Sequence, residues 1–481
     1  MAEETFLPID VAEAGHPDLT TDVLLVGFGA AGTAAILGAR EADPDCDIVV
    51  LERAGGPGGA AAQAGGIIYL GGGTAVQRAC GFEDSAENMA TYLMAACGPE
   101  PDERKITAYA EGSVAHHDWL VDHGLVFEHS FSHETQMETV GTEGLIYSGG
   151  EDAWPFNELV SPAPRGHLIQ TKGATGWLVM KTLASAALGA GPHVAYDTTV
   201  ERLVVDDGVV VGAVARRQGR REVIRARRGV VLAAGGFIWN DEMVARAAPT
   251  LLKANWKVGT ETDDGRGIQM AQAVGARVKQ MHAGEVAFPI IPPRKLMEGI
   301  LINGRGQRFI NEDTYNGRIG QAALYGEGGD VFLVIDEASY EPNWMGIGAS
   351  WVCETAAELE AEIGLPAGSL EATLAVYNRH AANGEDPMFH KVPSLLHPLT
   401  GPLGAFDLRI GKIPYAVFTL GGVESTPDGE VLGLDGRAID GLFAAGRTTS
   451  GVAAFGYASG LSIGDSTFFG RRAGAAAATR R

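Results

Sequence analysis

Cysteine is scarce in this chain: Cys46, Cys80, Cys97 and Cys353 stand far apart, and no two form a CxxC pair. That spacing argues against a zinc cluster or a disulfide scaffold and is in keeping with a reducing cytoplasm. Positive charge is short as well, with 37 Lys and Arg against 60 Asp and Glu and a formal net charge of −23. A chain this acidic lacks the electrostatic footprint of nucleic-acid binding and gains nothing from an anionic lipid surface. No apolar run approaches the roughly 20 residues of a membrane span. The amino-terminal MAEETFLPIDVAEAGHPDL has no basic stretch followed by an apolar core, so no signal peptide is expected, and the 20 residues before the first strand read as an acidic lead-in. Internal repeats are absent, and the one biased tract is the Ala-rich tail AGAAAATRR.

What is plentiful is apolar surface and glycine. Of 481 residues 46% are hydrophobic and 67 are glycine, which predicts a globular chain of two domains with many tight turns or backbone-to-ligand approaches. The clearest passage is DVLLVGFGAAGTAAILGAREADPDCDIVVLER, Asp22 to Arg53. Val23 to Val26 suit a buried parallel strand, Gly27, Gly29 and Gly32 form GxGxxG, and Ala30 to Arg40 are good helix formers closed by Asp43-Pro44. A second strand, Ile48 to Leu51, ends at Glu52. The glycines permit a tight turn, a close pyrophosphate and helix–strand contact, while the acid can accept hydrogen bonds from a ribose. Dinucleotide binding follows from the whole arrangement, which a Gly-rich turn in an ordinary βαβ unit would not need.

The kind of dinucleotide is read further on. GGPGGAAAQAGGIIYLGGGT (55–74) is too glycine-rich for a helix and reads as backbone laid along an extended ligand. GVVLAAGGF (229–237) and GLFAAGR (441–447) are apolar strands with glycine ends, and TDDGRGIQMAQAVGA (262–276) is a turn followed by a helix. In this order they resemble the fumarate reductase/succinate dehydrogenase flavoprotein superfamily from about residue 20 onward. The resemblance implies an α/β fold, with a Rossmann-like FAD-binding domain (20–278 and 410–481) interrupted by an inserted α+β catalytic, or capping, domain (279–409). It places FAD against Gly27, Gly29, Ala31, Gly32, Glu52 and Arg53. Further contacts fall on Gly59, Ala60, Ala61, Gly65 and Gly66, then on Val200, Ala234, Gly235 and Asp264. The last group is Gly446, Arg447, Leu461, Ser462 and Ile463. Some superfamily members attach FAD through a histidine just after the second strand; residues 55–66 hold none, so non-covalent FAD is expected.

Dicarboxylate-handling members of the superfamily grip their substrates with arginines and a histidine, whose charged donors match carboxylates. Here the RFINE motif is followed by DTYNG, Phe418 stands before TLGGV where relatives carry histidine, and Tyr457 replaces another arginine. Arg318 remains near the first position, but the clamp is lost. A neutral, largely hydrophobic substrate with one or two oxygens suits the remaining tyrosines, serine and phenylalanines. RFINEDTYNGRIG and GVAAFGYASGLSIGD look like the 3-ketosteroid Δ4-(5α)-dehydrogenase family, which introduces the C4–C5 double bond into 3-keto-5α-steroids. Its catalytic set maps onto Tyr315, Tyr457 and Ser459. The resemblance implies Tyr457 as donor to the ketone, Ser459 as base at C4, Tyr315 as proton relay, and flavin N5 as acceptor of the C5 hydride. Ser459 separates this family from the 3-ketosteroid Δ1-dehydrogenases, which carry a Pro-Gly-rich run after the tyrosine. That Δ1 activity is the alternative reading, followed by an enoate reductase and a non-catalytic flavoprotein.

Other expectations are a cytoplasmic location, an unidentified electron acceptor and no metal. His116-His117 and the i, i+4 pair His129/His133 lack the carboxylates or cysteines that would complete a metal site. Tyr69, Tyr147 and Trp154 are candidates for the wall of the steroid cleft.

Overall fold

In the computed structural model, which describes residues 6–134, 141–288, 293–343 and 346–481, the strand Leu19–Val26 buries its last six residues. It pairs in parallel with Ile48–Leu51, Val23 opposite Ile48 through Val26 opposite Leu51. Val, Ile and Leu on both faces are what a sheet covered on both sides requires. The helix Ala30–Ala42 connects the two strands and stops at Asp43, ahead of Pro44, whose ring disfavours helical backbone in the preceding residue.

Among the described residues the main sheet has nine strands. Its continuous path runs Ile9–Asp10, Thr198–Asp206, Val209–Arg217, Arg220–Leu232, Leu19–Val26, Ile48–Leu51 and His193–Ala195. Ala438–Ala444 pairs with the end of Arg220–Leu232 and carries Glu430–Leu432 beyond it. The 13-residue strand Arg220–Leu232 serves two partners in turn: its first half lies antiparallel to Val209–Arg217, its second half parallel to Leu19–Val26. Carboxyl ends of the parallel strands therefore converge on one edge, where open α/β sheets bind ligands.

Two segments differ from the sequence reading. The acidic lead-in is not merely a tail, since Ile9–Asp10 adds a parallel strand beside Thr198–Asp206 and Ile9 is buried. The Ala-rich end is core rather than low-complexity: the helix Leu461–Thr479 lies against Ala30–Ala42 with Ala473, Ala477 and Ala478 fully buried. Small residues are required there, because a Cβ on Gly474 would stand 2.0 Å from the Ala35 carbonyl oxygen. A third, smaller difference is the 3₁₀ turn Gly59–Gln63 inside the glycine-rich run that was read as non-helical.

Residues 300–407 contain an antiparallel sheet ordered Ile300–Asn303, Val331–Asp336, Leu403–Asp407 and Trp351–Cys353. Helices Ala356–Ile363 and Ser369–Ala381 join its core through Leu359, Leu370, Leu374 and Tyr377. The first helix opens on a Thr355/Glu358 capping box and ends at Gly364 in the left-handed region. A second small sheet joins distant parts of the chain, for Gly284–Ala287 pairs with Ala416–Thr419, which pairs with Trp256–Lys257. The chain turns back after Asn303, and the return is held to it by one antiparallel bridge, Ile302 to Arg308.

Candidate active site

The glycine loop at the converging strand ends is shaped by close approach. Gly27 has φ +103°, and a Cβ there would lie 2.4 Å from the Ala233 carbonyl oxygen. Gly29 caps the helix Ala30–Ala42 without any side-chain bond to the first-turn amides. Those N–H groups, at the positive end of the helix dipole, form an anion site suited to pyrophosphate. Glu52 accepts from the Phe28 and Ala54 amides at 2.6 and 2.7 Å. Each carboxylate oxygen keeps a further lone pair for ribose hydroxyls. The donor set and the cradle fit FAD.

One cavity runs from this loop to the far edge of the small sheet. Its wall includes Gly27, Gly29, Ala31, Glu52, Arg53, Gly59, Ala60, Ala61, Gly65 and Gly66. Val200, Ala234, Gly235, Asp264, Gly446, Arg447, Ser462 and Ile463 complete the cofactor residues expected there. Two of the expected residues lie off the wall. Gly32 sits behind the turn, where a Cβ would be 2.1 Å from the Gly27 carbonyl oxygen, and Leu461 points into the core. Asp264 pairs with Arg53 at 2.5 Å. Sequence reading missed its neighbour Asp263, buried and bonded to Arg447 at 2.9 Å and to the Gly236 and Thr260 amides.

At its other end the cavity is lined by Trp256, Val258, Ala287, Ala416 and Phe418, and here Tyr315, Tyr457 and Ser459 come together. The Tyr457 oxygen accepts from the Ser462 amide at 2.9 Å, at the start of the helix Leu461–Thr479, which leaves its own hydrogen free. Burial pushes the Tyr457 phenol up to about 12. Its ring meets Phe418 edge-on at 5.3 Å between centroids. Ser459 Oγ lies 3.0 Å from the Tyr315 hydroxyl, and the Ser459 amide is tied to the Ser148 carbonyl at 2.9 Å. Gly460, with φ +99°, both caps the helix and lets the loop press on the strand behind it, since a Cβ would stand 2.6 Å from the Tyr69 nitrogen.

Glu285 is the residue that sequence reading missed. The Tyr315 hydroxyl donates to its Oε1 at 2.9 Å, so Ser459, Tyr315 and Glu285 form one chain of hydrogen bonds. Glu285 is buried and faces the cavity opposite Phe418 in the strand register. Burial pushes its carboxyl up to about 8, against the opposing pull of the Tyr315 and Val286 hydrogen bonds. The available signal was HAGEVAF, a lone acid within an apolar strand.

Tyr315 owes its position to RFINE. Arg308 makes paired bonds to Glu312 (3.0 and 2.7 Å) and to Asp386 (3.0 and 2.9 Å). Lys391 adds a contact to Glu312 at 3.0 Å, and Glu312 accepts from the Leu301 amide at 2.9 Å. All four charged side chains are at most 5% exposed. Removing one member of such a network strands the others, at about 3–5 kcal/mol. Arg308→Ala is expected to lower stability by that order, read as a lower urea midpoint for the holoenzyme. An unchanged midpoint would show that the network does not anchor this part of the fold.

Several sequence candidates lie elsewhere. Arg318 bonds the Trp154 carbonyl at 3.1 Å and lies outside the cofactor cavity, so it supplies no anion clamp there. Tyr69 is fully buried, Tyr147 packs edge-on against Phe82 and Phe131, and Trp154 stacks on His390, so none of the three lines the cavity. His116 bonds Thr467 at 2.8 Å, and burial depresses its imidazole to about 3. Among the described residues no three His, Cys, Asp or Glu side chains gather as a metal site. No described helix is long and apolar enough to cross a membrane.

The chain resembles known proteins along nearly its whole length. The crystal structure of 3-ketosteroid Δ4-(5α)-dehydrogenase from Rhodococcus jostii, in complex with 4-androstene-3,17-dione, is 50% identical to it. The TM-score is 0.94, with 98% of this chain and 100% of that one covered. A probable fumarate reductase of Shewanella frigidimarina is 30% identical, with 97% of this chain and 76% of that protein covered. The 3-oxosteroid 1-dehydrogenase of Mycobacterium tuberculosis is 28% identical, with coverage of 93% and 96%. Residues 22–463 match the family described as FAD binding domain, and the chain belongs to that family.

Proposed function

We propose that this chain is an FAD-dependent oxidoreductase that introduces the C4–C5 double bond into 3-keto-5α-steroids. The observation that carries this reading is the meeting of Tyr457 and Ser459 with Tyr315 beside an apolar wall in the cofactor cavity. The likeness to the Rhodococcus enzyme supports it. FAD bound in the cradle supplies the acceptor for the C5 hydride. Residues 55–66 hold no histidine, which supports non-covalent attachment.

The protein's own part concerns the ketone and the C4 proton. Tyr457 stays protonated at working pH, and its free hydrogen meets the charge that develops on the ketone oxygen as C4 is deprotonated. The Ser462 amide and the helix end behind it hold the phenol in place. Ser459 takes the C4 proton while its own moves to Tyr315, which gives up its hydroxyl hydrogen along its other hydrogen bond; a serine needs such a partner to serve as a base. Residues 279–409 act as the cap that closes the apolar wall over the substrate, with 20–278 and 410–481 holding FAD. The cell's electron acceptor reoxidises the enzyme in the cytoplasm, a location supported by four free cysteines.

Anaerobic mixing of the holoenzyme with a 3-keto-5α-steroid tests the reading. Loss of the oxidised flavin absorbance is expected, and a flavin spectrum indifferent to the steroid would overturn it.

A further inference from the structure

Resting on that reading of the site, we propose that Glu285 is the group that finally holds the proton taken from C4. It sets the direction in which the Ser459–Tyr315 hydrogen bond runs. Tyr315 has a single hydroxyl hydrogen, and it is given to Glu285 Oε1 at 2.9 Å. The 3.0 Å contact to Ser459 must then use the Ser459 hydrogen, donated to the Tyr315 oxygen. This order leaves the Ser459 lone pairs free to face C4, which is what a base requires. If Glu285 instead carries a proton, it donates to Tyr315, Tyr315 donates to Ser459, and the Ser459 hydrogen points at the substrate. Protonation of one buried carboxyl thus reverses the chain and switches the base off.

The transfer balances. The C4–H bond breaks with its proton going to Ser459 Oγ, the Ser459 proton goes to Tyr315, and the Tyr315 proton goes to Glu285 Oε1. The electron pair left at C4 enters the C4–C5 double bond as the C5–H pair leaves for the oxidised flavin. Glu285 returns its proton to solvent between turnovers. It touches neither ketone nor flavin in this scheme and acts through Tyr315 as a positioning and proton-holding residue.

The surroundings suit the task. The titratable groups around Glu285 are Tyr315, Tyr325, Tyr457 and Cys97, all held neutral because burial raises each of them. Among the described residues no cation forms an ion pair with Glu285. Arg447 lies beyond the Phe418 ring, 5.3 Å from its centroid. On the helix side Gly317 closes on the carboxyl, where a Cβ would stand 1.9 Å from Oε1. Glu285 Oε2 has no hydrogen-bond partner among the described residues, so the group has room for an added proton. With burial holding the carboxyl at about 8, the ionised form that the relay needs is lost as pH falls through that value.

The test is the rate of anaerobic flavin bleaching by saturating 3-keto-5α-steroid, followed across pH. The parent is expected to gain about tenfold per pH unit up to about 8 and then to level. Glu285→Gln should flatten that limb and lose about hundredfold at its plateau, the low end of acid–base assistance. Glu285→Asp should keep a sloping profile. An infrared difference spectrum provides a second readout: a protonated carboxyl band should appear as steroid reduces the parent and be missing in Glu285→Gln. If Glu285→Gln fails to fold, the parent spectrum and Glu285→Asp decide. Parental rate and slope in Glu285→Gln, or no carboxyl band in the parent, would overturn the proposal. If Ser459→Ala is then inert, only the role of Glu285 fails; if Ser459→Ala bleaches like the parent, the reading of the site fails with it.

Discussion

Ser459→Ala is expected to slow anaerobic flavin bleaching by 3-keto-5α-steroid by about 10²–10⁴-fold, the range of a positioned general base. The fold should not notice. The Ser459 amide keeps its bond to the Ser148 carbonyl, the side chain is only half-buried, and Tyr315 retains Glu285 at 2.9 Å. FAD content and its absorption should therefore match the parent, which separates loss of chemistry from loss of cofactor. Alanine leaves Tyr457, the proposed ketone donor, untouched, so the steroid should still bind and KM should change little while kcat falls. A variant that bleaches at the parental rate would remove Ser459 from the chemistry.

Tyr457→Phe is expected to lose about 10²–10³ in kcat, as for removal of one donor to a developing oxyanion. Phenylalanine preserves the edge-on contact with Phe418 at 5.3 Å, so the apolar wall survives. What it deletes is the hydroxyl proposed as donor to the ketone, which is also the acceptor of the Ser462 amide. Stopped-flow bleaching under anaerobic conditions measures the loss, and equilibrium binding of a 4-ene-3-ketone product should weaken far less than the rate. A proportionate loss of both would mean that the phenol binds ground state and transition state alike.

The cofactor half was legible because its determinants are local. Gly27, Gly29 and Gly32 answer to the geometry of one turn, and the acid at the end of the second strand lies on the same βα unit. The reaction centre is spread along the chain. Ser459 and Tyr315 are 144 residues apart in sequence, and only likeness to a known family joined them before the fold did. Glu285 carried no local mark beyond an acid in an apolar strand, and its pairing with Tyr315 depends on the start of the helix Asn316–Gln321 packing against the strand Gly284–Ala287. Arg308 and Glu312 read as a motif, but their partners Asp386 and Lys391 come from a distant loop. The Ala-rich end takes its meaning from a partner: small side chains mark a biased tract in isolation and a close helix contact once a helix such as Ala30–Ala42 is present.

The reading of the Tyr457–Ser459 segment as the selector of the bond is tested most directly by one product analysis. The holoenzyme is mixed anaerobically with 5α-androstane-3,17-dione for a single turnover, and the steroid is examined by NMR. The expected product is 4-androstene-3,17-dione, unsaturated at C4–C5. A product unsaturated at C1–C2 and saturated at C4–C5 would contradict that reading.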